Sequence, residues 1–128
     1  MAASTERPIA RPALAAEDLV ADRYRLIQPV EMPDTDEAPA AFWQATDEVL
    51  ARVVAVRLLP AGGKAGKSAA QPFLDAAGLA GRLSHPGLAR VYDAALTPMP
   101  SERSGRPTDV AYVVSEWVEG RSLTDVLL

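Results

Sequence analysis

Cysteine is absent from the 128 residues, so no disulfide frame exists, and a single histidine, His85, leaves no His/Cys metal site. Asparagine is also missing, and lysine occurs only at Lys64 and Lys67. Alanine, arginine, glycine and proline stand in for residues with A/T-rich codons. That is the coding bias of a high-GC bacterial genome and says nothing about mechanism. No apolar run approaches the roughly 20 residues of a membrane span. Arg7 and Arg11 are followed by no apolar stretch of the kind a secretory leader carries. What is present is 48% hydrophobic and 23% charged, the composition of one compact domain. Thirteen basic against 17 acidic side chains give a net charge of −4, which argues against nucleic-acid or anionic-membrane binding through bulk charge. A cytoplasmic setting is the expectation.

Along the chain, residues 1–22 mix alanine, proline and charge without sustained periodicity, which predicts a disordered tail with at most a helical turn near Glu17. From Arg23 the pattern changes. Tyr24, Leu26 and Val30 mark a first strand, with Pro29 placing it at an edge. Residues 31–39 hold four carboxylates and two prolines and form a loop. Residues 41–46 read as a second strand and the valine-rich 52–59 as a third. Pro60 ends the third, and residues 61–70 read as a flexible connection. Residues 71–83 space Phe73, Leu74, Ala77, Leu79, Ala80 and Leu83 for a short amphipathic helix, weakened by Gly78 and Gly81 and stopped at His85-Pro86-Gly87. Two more strands follow, over 88–96 and 110–117, joined by a polar, proline-rich loop. Ser122 to Asp125 has the form of a capping box, so a further helix begins there and the sequence ends inside it.

This order, and four motifs within residues 23–128, resemble the small lobe of bacterial Ser/Thr protein kinases. Tyr24-Arg25-Leu26 opens as their first strand does. Ala45-Thr46-Asp47, Leu50, Arg52 and Val54-Ala55-Val56-Arg57 are similar to their A-x-D-x-x-L-x-R-x-V-A-V-K segment. Leu83-Ser84-His85-Pro86 through Val91-Tyr92-Asp93 is similar to the segment after their helix. Tyr112 through Leu123 is similar to the segment that joins their two lobes. The resemblance implies an α+β, kinase-like small lobe with a five-stranded antiparallel sheet and one helix after the third strand, cut before the large lobe. It also implies Mg-ATP as the cofactor of a working site. Arg57, Ala55 and Phe42 are then the nucleotide-facing positions on the sheet, and Glu116 and Val118 the backbone contacts to an adenine.

The chemistry departs from that pattern. A kinase's glycine-rich loop brings backbone amides close to the phosphates. Here the corresponding residues 30–39 contain no glycine, four carboxylates and two prolines. Arg57 stands where the phosphate-contacting lysine belongs, and a planar guanidinium is not a conservative replacement. The glutamate that would pair with it falls on Ala76, with Asp75 one residue and about 100° around the helix. The expectation is therefore a pseudokinase: no catalytic residue, no metal site, and a regulatory role through protein binding. Degenerate kinase-like proteins of actinobacteria are associated with cell-envelope synthesis and with phosphopeptide-binding partners, so the resemblance implies a partner of that kind. The plainer readings are that Arg57 makes a strand-surface ion pair, that Glu116 and Val118 merely connect, and that His85 is a turn residue. An active kinase with its large lobe elsewhere is the first alternative. A second is a phosphate loop at 61–68, where Ala61 is followed by Gly66-Lys67-Ser68 between a strand and a helix. Against it, alanine replaces the first glycine and Pro72 interrupts the helix that should follow.

Overall fold

The computed structural model describes residues 14–30, 41–83, 86–100 and 106–119. Six strands and one helix follow in the order β1 (Leu19–Val20), β2 (Tyr24–Pro29), β3 (Ala41–Asp47), β4 (Arg52–Pro60), α1 (Gly63–Ala80), β5 (Val91–Met99) and β6 (Thr108–Glu116). They form one antiparallel sheet with the spatial order β1-β2-β3-β4-β6-β5. The acidic loop at 31–39, His85 and the capping box at Ser122 lie outside the described residues.

The expected five-stranded kinase small lobe with its helix after the third strand is corrected here. The sheet has six strands, the helix follows the fourth, and the sheet curls into a nearly closed barrel. The extra strand is β1, inside the stretch read as a disordered tail, and it pairs Leu19 with Arg25 and Val20 with Tyr24. Two residues carry no periodicity, and the turns around β1 place Glu17, Ala21 and Asp22 at positive φ without a glycine to announce them. Val20 is fully buried, so this short strand belongs to the core.

β4 explains why the sheet has two covered faces. Its alternate residues Val54, Val56 and Leu58 point into the barrel, where they meet Val20, Leu26, Trp43, Tyr112 and Val114. Leu59, two residues beyond Arg57 on the opposite face, packs with Ala61, Ala70 and Ala111 under α1, flanked by Phe73 and Leu74. A strand largely buried on both sides reads as an apolar run, and residues 52–59 do so except at Arg57, which like Val53 is exposed on the helix-side face. Removing a fully buried side chain such as Leu58 would cost about 2–5 kcal/mol.

α1 begins at Gly63, so the connection expected to be flexible at 61–70 is mostly helical. The glycines there serve close packing. A Cβ on Gly66 would lie 2.7 Å from the carbonyl carbon of Ala61, and one on Gly62 would collide with the methyl group of Thr108. Gly63 supplies the positive φ, 71°, with which the chain enters the helix. Pro72 therefore sits in the helix interior, where it removes one backbone hydrogen bond. Among the described residues no helix is long and apolar enough to cross a membrane.

Candidate functional site

Strand register decides which of the sequence-predicted residues meet. Phe42 pairs with Arg57, and Arg57 with Val113. One step along, Gln44 pairs with Ala55, and Ala55 with Ser115. Directly paired residues share a face, so Phe42, Ala55 and Arg57 lie together on the helix-side face of the sheet. The Arg57 guanidinium stands 5.4 Å from the centre of the Phe42 ring, within cation–π range. Asp75, on an exposed side of α1, accepts a hydrogen bond from Gln71 Nε2 at 2.8 Å, and no described carboxylate forms an ion pair with Arg57. Ala76 is exposed too.

The remaining two positions stand apart. Glu116 pairs with Val54, one residue out of step with Ala55, so its side chain belongs to the opposite face. Its N–H donates to the carbonyl of Arg90 at 2.8 Å, and its carboxylate accepts from the Arg90 N–H at 3.2 Å, which ties the end of β6 to the approach of β5. Val118 lies beyond the strand and is 65% exposed. Gly66, Lys67 and Ser68 all lie within α1 rather than in a loop before it. Lys67 Nζ sits 3.7 Å from Asp109 Oδ2 across an exposed pair.

Two polar constellations inside and at the mouth of the barrel were not visible in the sequence. At one end, Asp47 is fully buried as the last residue of β3. It accepts from Arg23 Nε and Nη2 at 2.9 and 2.8 Å, and from the N–H groups of Val49 and Leu50 at 3.0 and 3.2 Å. The Arg23 hydrogen bonds hold its carboxyl well below the usual carboxylate range against the opposing cost of burial, with the Leu50 and Val49 amides assisting. Arg52 Nε forms an ion pair with the same carboxylate at 3.6 Å, beyond hydrogen-bonding reach, and this buried nitrogen has no hydrogen-bond acceptor among the described residues. Its guanidinium covers the Tyr92 ring at 3.8 Å from the centroid.

The second constellation is Asp93 with two phenols. Tyr24 of β2 and Tyr112 of β6 both donate to Asp93 Oδ2, at 2.8 and 3.2 Å, with their ring centres 6.0 Å apart. A bulge makes this possible. Val91 pairs with Ser115 on the helix side, and simple alternation would put Asp93 there as well. The extra residue Tyr92 shifts the phase, so Asp93 pairs with Val114 and points into the barrel. Burial raises the pKa of both phenols, and the neighbouring Asp93 carboxylate adds to it. The Tyr24–Asp93 bond joins residues 69 apart in sequence, and no local signal in the sequence marks their meeting.

No protein-family model matches the chain, and no curated protein does.

Proposed function

We propose that the chain is a regulatory module of the protein-kinase-like family, a pseudokinase that acts by binding proteins and does not transfer phosphate. The observation that supports this reading most is the state of Arg57. It occupies the position of the phosphate-contacting lysine, yet it lies over Phe42 and has no carboxylate to fix it among the described residues. An aromatic ring beside it, on the face shared with Ala55, takes space that a nucleotide base and phosphates would need. The sequence resemblance supplies the family, and the partner it implies is a phosphopeptide-binding or cell-envelope protein.

Thermal unfolding with and without Mg-ATP tests the nucleotide part. A ligand at a hundred times its dissociation constant stabilises by about 2.7 kcal/mol, which would raise Tm by roughly 10 °C in a domain of this size. The expected result is no shift at millimolar Mg-ATP. A shift abolished by Arg57→Ala would overturn the reading in favour of an active kinase. A shift abolished by Lys67→Ala, with Arg57→Ala harmless, would overturn it in favour of the phosphate loop.

A further inference from the structure

β5 is an edge strand. In the sheet order it pairs with β6 on one side and with no described strand on the other. Natural proteins blunt such edges with bulges and prolines. β5 carries both, the bulge at Tyr92 and Pro98, but between them residues 93–97 run regularly against β6. At the bulged start of the strand, beside Val91 to Ala94, opens a groove of about 450 Å³ between β5 and the C-terminal half of α1. Leu74, Ala77 and Gly78 line it from the helix, and Val91, Tyr92, Ala94 and Asp93 from the strand, the Asp93 carboxylate being taken up by Tyr24 and Tyr112. Gly78 leaves its floor bare, since a Cβ there would meet nothing within 4 Å.

Charge marks one end of the groove. Arg82 is part of its lining, Arg90 immediately precedes β5, and Arg52 covers the lining residue Tyr92. Arg82 and Arg90 are exposed, and no described carboxylate forms an ion pair with either side chain. Arg52, by contrast, is ion-paired with Asp47 through a buried Nε and is not free for a partner. Two exposed arginines beside the groove stand out in a chain whose net charge is −4.

We propose that the α1–β5 groove receives an extended segment of a partner protein, added as a seventh strand on the free edge of β5. Alternate apolar side chains of the segment enter the groove over Gly78, and carboxylates at the end nearest Val91 meet Arg82 and Arg90. Main-chain hydrogen bonds supply affinity, while the pocket and the arginines supply specificity, as in strand addition generally. The inference rests on the protein-binding part of the reading above. It does not use the nucleotide part, and its test contains no nucleotide, so either can fail while the other stands.

The test is a fluorescence-polarisation titration of the full chain with a labelled peptide of alternating valine and threonine that ends in three glutamates. Two controls accompany it: the same peptide ending in three lysines, and the glutamate peptide N-methylated at alternate amides. Saturable binding of the first is expected, with each control at least about tenfold weaker, a difference of about 1.4 kcal/mol. Gly78→Leu fills the groove from an open position on the helix, so circular dichroism should be unchanged while affinity falls at least about tenfold. Arg82→Glu with Arg90→Glu should reverse the preference between the glutamate and lysine peptides. Equal binding of the two charge forms, indifference to N-methylation, or full affinity in a folded Gly78→Leu variant overturns the proposal. So does the absence of saturation up to about 1 mM. A concentration-dependent dimer that Gly78→Leu abolishes overturns it too, by assigning the groove to a second copy of the chain.

Discussion

Replacing Asp47 by asparagine keeps the shape of the side chain and removes the charge that four donors share. In the native protein the carboxylate accepts from two nitrogens of Arg23 and from the Val49 and Leu50 amides, at 2.8–3.2 Å. Asparagine offers one oxygen and turns an NH2 group toward donors. Hydrogen bonds to a charged group contribute about 1.5–3 kcal/mol, and a buried group left unpaired adds to the loss. Arg23 is one-third exposed, so solvent screens part of its share. A net destabilisation of about 2–4 kcal/mol is expected, which for 128 residues lowers Tm by about 8–16 °C. The acid limb carries the sharper test. Folding lowers this carboxyl below its ordinary value of 3.8. Its stabilisation is therefore intact at neutral pH and fades as pH falls below that value toward the folded-state pKa. Urea unfolding of both proteins at pH 7 and near pH 2 should show the gap between them narrowing in acid. A gap of the same size at both, or a Tm within about 2 °C of the native protein at pH 7, would refute the reasoning.

Two further outcomes follow from the helix and the phenols. Pro72→Ala restores a backbone hydrogen bond in the exposed interior of α1 and should raise stability by about 1–3 kcal/mol in thermal denaturation; a fall would mean that the helix depends on its proline. In alkaline titration followed at 295 nm, Tyr24 and Tyr112 should resist ionisation above the ordinary phenol value of 10.0 and titrate only as the protein unfolds. Because folding raises both values, their contribution holds below that pH and is lost as pH rises beyond it, so Tyr24→Phe should flatten the alkaline decline.

What the sequence reveals follows from how each element earns its stability. β4 and β6 are legible because their apolar runs are buried on both faces, and β6 lies within two residues of its expected bounds. β5 starts three residues later than expected because Leu88 is exposed and leads into the strand instead of belonging to it. The first turns of α1 are hidden by glycines that serve contact with Ala61 and Thr108, a tertiary requirement with no periodic signature. Phe42 beside Arg57 follows from strand register once β3 and β4 are recognised. The Asp47 cluster is half legible, since an aspartate closing a strand before a turn commonly accepts the turn amides, but its arginine comes from β2's approach, 24 residues earlier. Asp93 is illegible because a bulge, not alternation, turns it inward.

The clasp of Tyr24, Asp93 and Tyr112 has a dynamic consequence. Ladders of backbone bonds join every neighbouring pair in the sheet, but among the described residues the hydrogen bond that joins β2 to β5 is the side-chain one from Tyr24 to Asp93. Breaking the Tyr24 hydrogen bond would let the cuff open while every ladder stays whole, since Tyr112 and Asp93 lie on the paired strands β6 and β5. Such sub-global openings need far less free energy than unfolding. Amides on β3, β4 and β6 should then exchange with deuterium only through the global transition, while those of β1 and the outer edge of β5 exchange early. Tyr24→Phe should widen that separation and leave the slow amides where they were.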